Sequence, residues 1–573
     1  MSVVTVPLRR KARSTVRGRP VDPKAREDIQ VLFADRPSDQ RRRRDLLIEN
    51  LHRIQDRFGC LSAAHLAALA EMMHLAQTEV YEVATFYHHF DVEKEGEKAP
   101  PSLTVRVCES LSCQMAGADG LLSSLPALLG DSVRVKGAPC IGRCSEAPAV
   151  CVGQNAFGPA TLDSIVEAVN APEGRAAPAL AEAIDYARYR QHGGYRLAAE
   201  LAAGGHPRLG DREAVYAELE QAHLRGLGGA GFPAGKKWRI VAGEAAPRLF
   251  AINIDEGEPG TFKDRVYLER DPHRFFEGML IAAWAVNVES IIIYLRDEYH
   301  SVRALLEREL AALKADPPAG IRLPPIELRR GAGAYICGEE SAMIESIEGK
   351  RGMPRLRPPY LAQVGLFGRP TLEHNMETLY WVRQILEQGS AWFAGHGRRE
   401  RHGLRSFSVS GRIRKPGVHI APAGISLIEL IEEHCGGMQD GHTLYGYLPG
   451  GASGGILPAS MADLPLDFDT LQPHGCFIGS AAVIVLSDAD RATDAALSMM
   501  RFFRDESCGQ CTPCRSGTAK AVDLMEAPRW DVPLLEELNR VMIDASICGL
   551  GQAAPNPVRC VVRYFPDELK GQP

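Results

Sequence analysis

Cys508, Cys511 and Cys514 are separated by two residues each, in the run Glu-Ser-Cys-Gly-Gln-Cys-Thr-Pro-Cys-Arg. A fourth cysteine, Cys548, follows in Ser-Ile-Cys-Gly-Leu-Gly. Nothing else in the chain constrains its folding as tightly, because a C-x2-C-x2-C run with one distant Cys wraps a cubane iron–sulfur cluster, each thiolate reaching a different iron. Tetrahedral zinc is satisfied by two pairs of ligands, so a third Cys in one short run is superfluous to it. Zinc and an inert thiol cluster are the alternatives to a 4Fe–4S site.

A second group points the same way. Cys108 and Cys113 are spaced C-x4-C, and Cys140 and Cys144 are spaced C-x3-C. Each pair follows a β-like run, Leu103 to Val107 and Ser132 to Val135. Two strands delivering two loops to one end of a small sheet would gather four thiolates, which suits a 2Fe–2S cluster with one pair on each iron. The alternative is a zinc ribbon, but ribbons favour C-x2-C knuckles and neither pair has that spacing.

At 573 residues the chain is too long for one core and predicts several domains. A net charge of −6 gives no field directed at nucleic acid or a membrane surface. The best apolar run, Gly278 to Leu295, is broken by Asn287, Glu289 and Ser290 and reads as a buried helix and strand, so no membrane span is expected. Of the 14 cysteines, those outside the two sets (Cys60, Cys151, Cys337, Cys435, Cys476 and Cys560) are scattered. With no signal peptide in view, they place the chain in a reducing compartment, the cytoplasm. The N-terminus carries Arg9, Arg10, Lys11, Arg13, Arg17 and Arg19 and reads as a solvated basic arm; docking to an acidic partner is the functional alternative.

Leu47, Leu51, Ile54 and Phe58 form one helical stripe, and Ser62 can cap a following helix carrying Leu66, Leu69 and Met73. From about residue 210 to 400 strand candidates, Leu249–Asn253 and Ser290–Tyr294, alternate with helices such as Val302–Leu313. The glycine-rich segment Arg225–Trp238 contains G-x-G-x-x-G at Gly226, Gly228 and Gly231, but a helix-like stretch precedes it rather than the strand a dinucleotide fingerprint requires. Its consecutive glycines still let backbone N–H groups approach a phosphate, with Lys236 or Lys237 adding charge; a plain glycine hinge is the alternative. Two acidic loops, Asn253–Arg265 and Gly331–Glu340, each follow a strand-like run, where an α/β sheet presents its ligand loops. They read as solvated turns or as donors and acceptors for a ribityl chain, a flavin edge and a nicotinamide ribose.

Together, Gly-Gly-Ala-Gly-Phe-Pro, Asp-Glu-Gly-Glu-Pro-Gly-Thr-Phe-Lys-Asp-Arg, Gly-Ala-Gly-Ala-Tyr-Ile-Cys-Gly-Glu-Glu and Glu-Ser-Cys-Gly-Gln-Cys-Thr-Pro-Cys resemble the FMN- and NADH-binding flavoprotein subunit of complex I. Residues 36–170 resemble its small 2Fe–2S partner subunit, fused in front. This arrangement is similar to the diaphorase subunits of soluble NAD-linked enzymes. Among them it looks closest to the β subunit of NAD-dependent molybdenum or tungsten formate dehydrogenases, with the diaphorase of NAD-reducing hydrogenases a near relative.

The resemblance implies FMN contacts at Gly226, Gly228, Lys237, Asn253, Asp255, Glu339 and Asn375, and NADH contacts at Phe232, Glu258, Glu340, Arg357 and Tyr360, with Phe232 and Tyr360 flanking the adenine. Gly229, Gly231, Tyr335 and His374 complete the cofactor-binding set. Leu227 stands where many relatives carry Arg, and His374 where a flavin-contacting Asn is common. No catalytic acid or base is implied, because hydride exchange between nicotinamide and flavin belongs to the cofactors; the negative charge of Glu258 and Glu340 is expected to modulate nucleotide release.

The implied architecture is multidomain α/β. A disordered basic arm occupies 1–35, a helical region 36–95, a thioredoxin-like 2Fe–2S domain 96–172 and a linker 173–209. A Rossmann-like FMN- and NADH-binding domain follows at 210–404, a ubiquitin-like β-grasp domain at 405–490 and a helical bundle around the 4Fe–4S cluster at 491–573. The implied function is an NAD-dependent oxidoreductase subunit in a hetero-oligomer, exchanging electrons with an iron–sulfur-rich catalytic α subunit. A formate dehydrogenase is the first reading for that partner; a hydrogenase or NADH:quinone oxidoreductase is the alternative. The non-enzyme alternative is a zinc-stabilised scaffold, which would be colourless.

Overall fold

The computed structural model describes residues 18–94, 96, 99–171 and 182–570. Two compact units divide at Pro100. In the first, helices Leu47–Phe58, Ala63–Met73 and Gln77–Ala84 bury Leu47, Leu51, Ile54, Leu66, Leu69, Met73, Val80 and Val83. Phe58 lies half-buried at the end of the stripe, stacked on His65. The Ser62 hydroxyl accepts the amide of His65 at 3.2 Å, as an N-cap should.

The expectation of a disordered arm over 1–35 needs correcting. Residues 1–17, which hold most of its basic charge, lie outside the described residues. Pro23–Leu32, however, is a helix capped by Asp22 and started by Pro23, and Ala25, Ile29 and Phe33 are buried. Their i, i+4 spacing is a packing stripe that the surrounding charges obscure in the sequence.

In the second unit, the first sheet runs in the order Val133–Ala138, Leu103–Cys108, Val150–Val152, Asn155–Phe157. The first pair is parallel with Cys108 beside Ala138, so both strands end on the same edge and release their cysteine loops there. The central sheet is wholly parallel, in the order Thr371–Asn375, Arg248–Ile254, Val288–Leu295, Ile326–Arg330. The earliest strand in sequence thus has the second strand on one side and the last on the other. Connections diverge at such a junction, and a ligand crevice opens beyond the carboxyl ends of the strands. The third sheet places Leu404–Gly411 antiparallel to Gly417–Pro422 and parallel to Ala482–Ser487, with the capped helix Leu427–Glu433 between them in sequence, the topology of a β-grasp. Helices Ala492–Asp505, Thr512–Glu526, Val532–Ala545 and Asn556–Tyr564 close the chain. Among the described residues, no helix is long and apolar enough to cross a membrane.

The linker expected over 173–209 is also corrected. Residues 172–181 lie outside the described residues, but Tyr186–Gln191 and Arg196–Ala202 are helices docked by a buried carboxylate. Glu277 accepts the Tyr189 hydroxyl at 2.7 Å, the Tyr195 amide at 2.9 Å and the Ala198 amide at 3.3 Å, and it pairs with Arg383 at 3.2 Å. Burial pushes its carboxyl up, opposed by Arg383 and these donors. An Ala- and Pro-rich composition marks this stretch as a linker; its tyrosines hold it to the body. Glu277→Ala, which leaves the Tyr189 hydroxyl and the Tyr195 and Ala198 amides without their acceptor and Arg383 with Glu387 as its remaining carboxylate, is expected to cost about 3 kcal/mol. Limited proteolysis should then cut within 182–209 before the rest of the body unfolds.

Candidate functional site

Asn253 and Asn375 are register neighbours at the carboxyl ends of the two strands that form the junction. Asn253 donates to the Gly338 carbonyl at 2.9 Å and accepts the Asp255 amide at 3.0 Å. Asn375 caps Met376–Gln388, accepting the Glu377 amide at 3.0 Å, and donates to Asp264 at 2.7 Å. Lys263, Asp264 and Glu377 form a buried ion cluster beneath it.

The glycine loop closes over this junction. The Gly226 amide donates to Phe232 O at 2.8 Å, the Gly231 amide to Gly226 O at 3.2 Å, and the Leu227 amide to the Thr378 hydroxyl at 2.9 Å. The amides of Gly228, Gly229 and Ala230 meet no acceptor among the described residues. A Cβ on Gly228 would stand 2.9 Å from that of Asn375, so only glycine permits this approach. Gly231 has φ +66°, and a Cβ there would meet the Phe468 ring at 2.7 Å. A run of bare amides over a crevice fits an oxygen-rich ligand.

Lys237 is half-buried, and its ammonium donates to the carbonyl and the carboxylate of Glu373, both at 3.0 Å. Burial lowers its pKa, but Glu373 and Glu340 outweigh this and the net shift is upward, so the amine stays charged. Asp255 is the opposite case. Its Oδ2 is buried and finds no donor among the described residues, and burial holds its carboxyl well above the usual carboxylate range despite Arg296. A polyol hydroxyl is the donor this oxygen lacks.

Glu258 does not present the free charge the sequence predicts. It accepts the Tyr335 hydroxyl, the Ser453 amide at 2.8 Å and the Ser453 hydroxyl at 2.6 Å, and burial pushes its carboxyl up. Three donors spread that charge, so it is a poor source of repulsion toward a nucleotide; this revises its expected part in release. Tyr335 is a junction of its own, because its amide donates to Glu506 at 2.9 Å and its ring lies 4.8 Å from that of Phe502, both in the cysteine-bearing C-terminal region. Glu339 caps the helix Glu340–Ile347, and Arg357 pairs with both Glu339 and Glu340, the latter at 2.9 Å. Phe232 and Tyr360 keep 41% and 56% of their surface exposed, available to a planar base.

The His374 side chain is a correction. It is buried, and its Nε2 accepts the Trp238 indole N–H at 2.7 Å. Burial holds it well below the usual histidine pKa, so it is neutral, with its proton assigned to Nδ1. Successive residues of a strand face opposite ways, so its ring lies away from the face that Glu373 and Asn375 share. Glu373, Asp264, Thr378 and Ser453 escape the sequence reading. Glu373 alone carries a usable signal, two residues before Asn375 on the same strand.

The two cysteine sets are each gathered. Cys108, Cys113, Cys140 and Cys144 are all buried, and the thiols of Cys140 and Cys144 lie 3.3 Å apart. Hydrogen bonds from Cys108 and Cys144 hold the Cys140 thiol well below its usual range. Phe262, Val266 and Val418 seal the Cys140–Cys144 side. In the other set, Cys511 is the N-cap of Thr512–Glu526, Cys514 lies in its first turn and Cys548 is the N-cap of Gly549–Ala553. Burial pushes Cys514 up to about 11, against a Ser507 hydrogen bond, and the nearby Cys511, Cys548 and Cys508 add to it. Among the described residues no such group has the geometry of a single-ion site. Four crowded thiols fit a cluster, whose irons take up their negative charge.

A ligand crevice at a sheet junction, roofed by bare amides and set in one body with two four-thiol sets, defines a protein that carries a flavin and two iron–sulfur clusters. Residues 219–384 match the Nuo51 FMN-binding domain, residues 32–172 the thioredoxin-like 2Fe-2S ferredoxin, and residues 494–572 the NADH-ubiquinone oxidoreductase-F iron–sulfur binding region. An NADH-quinone oxidoreductase subunit of Rhizobium meliloti is 40% identical over 394 residues, covering 66% of this chain and 92% of that protein. The mitochondrial NADH dehydrogenase (ubiquinone) flavoprotein 1 of Dictyostelium discoideum is 41% identical over 62% of this chain and 78% of its own length. The chain belongs to this family of NADH dehydrogenase flavoprotein subunits. A solved structure of an NAD+-reducing NiFe-hydrogenase in the H2-reduced state superposes with a TM-score of 0.80 at 32% identity, covering 93% of each chain.

Proposed function

We propose that this protein is a diaphorase subunit, exchanging electrons between NAD(H) and a partner catalytic subunit. The observation that carries the reading is Tyr335, whose hydroxyl bonds Glu258 of the crevice while its amide bonds Glu506, two residues before Cys508. One residue thus ties the crevice to the cluster ligands. When bound, FMN supplies hydride chemistry toward nicotinamide and one-electron exchange toward clusters. The chain's own residues bind and orient. Asn253, Asp255, Lys237 and Asn375, with the loop amides of Gly228 and Gly229, hold the flavin. Phe232 and Tyr360 take the adenine between them, and Arg357, already paired with Glu339 and Glu340, meets the nucleotide's charge.

Formate oxidation is our proposal for the partner's reaction, drawn from the resemblance of the fused chain to formate dehydrogenase β subunits, and the assembly would be a hetero-oligomer. A second reading, a hydrogenase partner, is supported by the superposition on a NAD+-reducing NiFe-hydrogenase over 93% of both chains. None of the 14 cysteines is in a disulfide, which supports a reducing, cytoplasmic setting.

The test is NADH:ferricyanide reduction by the purified chain, with flavin and iron analysis. About one FMN and about six iron per chain with activity are expected; a colourless, zinc-containing, inactive chain would leave the scaffold reading standing. NAD+ reduction by the co-purified complex on adding formate, and not hydrogen, is the outcome expected for the partner. The reverse outcome selects the hydrogenase.

A further inference from the structure

Arg296 is the first residue after the strand Val288–Leu295 and is 3% exposed. Its Nη1 donates to the Glu256 carbonyl, in the loop between Asp255 and Glu258. Its Nη2 donates to the carbonyl of Cys140, a predicted cluster ligand, at 2.6 Å. Glu298 takes Nε at 3.0 Å and Nη2 at 2.7 Å. A single buried guanidinium therefore grips both the loop that lines the flavin crevice and the loop that holds the 2Fe–2S thiolates.

The grip is reinforced around it. Arg265 donates to the Gly142 carbonyl at 3.0 Å. Gly142 has φ +76°, and a Cβ there would fall 2.4 Å from the Tyr299 hydroxyl, which donates to Glu256 at 2.8 Å. The carbonyls of Cys140 and Gly142 are thus both turned toward guanidinium groups. An arginine keeps its charge at any working pH, and in a dry site that charge favours the more negative, reduced state of a neighbouring cluster.

We propose that Arg296 is a positioning residue for electron transfer: its guanidinium sets the 2Fe–2S cluster against the flavin loop and holds the cluster's reduction potential up. The step it biases is uptake of one electron by the cluster, with no bond made or broken, the electron coming from NADH by way of the bound flavin. The inference rests on the diaphorase reading for the presence of the cluster and that electron source; the role assigned to Arg296 is additional.

The experiment is a redox titration of the full holo-protein, with dithionite as reductant and both clusters followed by electron paramagnetic resonance. Arg296→Met is expected to shift the 2Fe–2S reduction equilibrium about ten-fold toward the oxidised form, about 59 mV, with the 4Fe–4S midpoint unmoved. Glu298→Gln, which removes the counter-charge and leaves both carbonyl bonds, is expected to shift the 2Fe–2S midpoint the opposite way. A 2Fe–2S midpoint unchanged in both variants, or both clusters moving together, overturns the proposal. If Arg296→Met loses its iron, the sign of the Glu298→Gln shift decides. The 2Fe–2S signal itself reports the cluster and its midpoint reports Arg296, so the two readings fail separately.

Discussion

Asp255→Ala is expected to weaken FMN binding and, at the same time, to stabilise the flavin-free chain. These opposite signs follow from one atom. The Oδ2 of Asp255 is buried without a donor among the described residues, and burial holds the carboxyl far above its usual range. In the flavin-free protein this uncompensated oxygen costs about 1–3 kcal/mol, which its removal returns. With flavin bound, the same oxygen would accept a ribityl hydroxyl. Losing that hydrogen bond costs about 1.4 kcal/mol, roughly ten-fold in affinity. Flavin titration and thermal melting of the flavin-free form check the two arms. A residue that merely supported the loop would lower both, and that result would remove Asp255 from the binding set.

Cys514→Ala is expected to abolish the 4Fe–4S signal and lower the iron content by about four per chain. Cys514 is 5% exposed in the first turn of its helix, and the place a Gly551 Cβ would occupy is only 2.9 Å from its own Cβ. Cys108→Ala should lose about two iron instead, while Cys435→Ala, a buried thiol just past the helix Leu427–Glu433, should lose none. Flavin content and NADH:ferricyanide reduction should persist in Cys514→Ala, since the exposed crevice mouth at Phe232 and Tyr360 admits a small acceptor. Transfer to the partner should stop. Iron retained at the wild-type level would show that Cys514 is not a ligand. Because a cluster also braces its domain, the melting midpoint should fall with the iron.

Much of the frame is legible without coordinates. The runs Leu103–Val107 and Ser132–Val135 read as strands because β-branched residues alternate there, and the structure extends them to Cys108 and Ala138, delivering both cysteine loops to one edge. Ser62 reads as a helix start because a short hydroxyl side chain can accept an orphan amide, and it does. Sequence reasoning fails where composition masks geometry. Charged residues around Ala25, Ile29 and Phe33 hide a helix, and the Ala- and Pro-rich stretch near 180 obscures the anchoring role of Tyr186, Tyr189 and Tyr195. The family resemblance puts His374 in the crevice, where a flavin-contacting Asn is common, whereas the alternation of a strand turns its ring the other way, onto Trp238.

By itself, the sequence determined which atoms are available. Three thiols at C-x2-C-x2-C spacing with a distant fourth, and four more in two loops, supply the ligands that cluster chemistry needs, and the glycines of 226–231 let backbone amides be approached closely. These are local properties, written in spacing and in the absence of side chains. Only the tertiary structure decided which charges remain active. Glu258 is spread over Tyr335 and Ser453, Lys237 is matched by Glu373, Asp255 is left short of a donor, and Arg296 joins two loops separated by more than a hundred residues of chain. The reason is physical: the electrostatics of a buried group depends on what is packed against it, and those neighbours are distant in sequence.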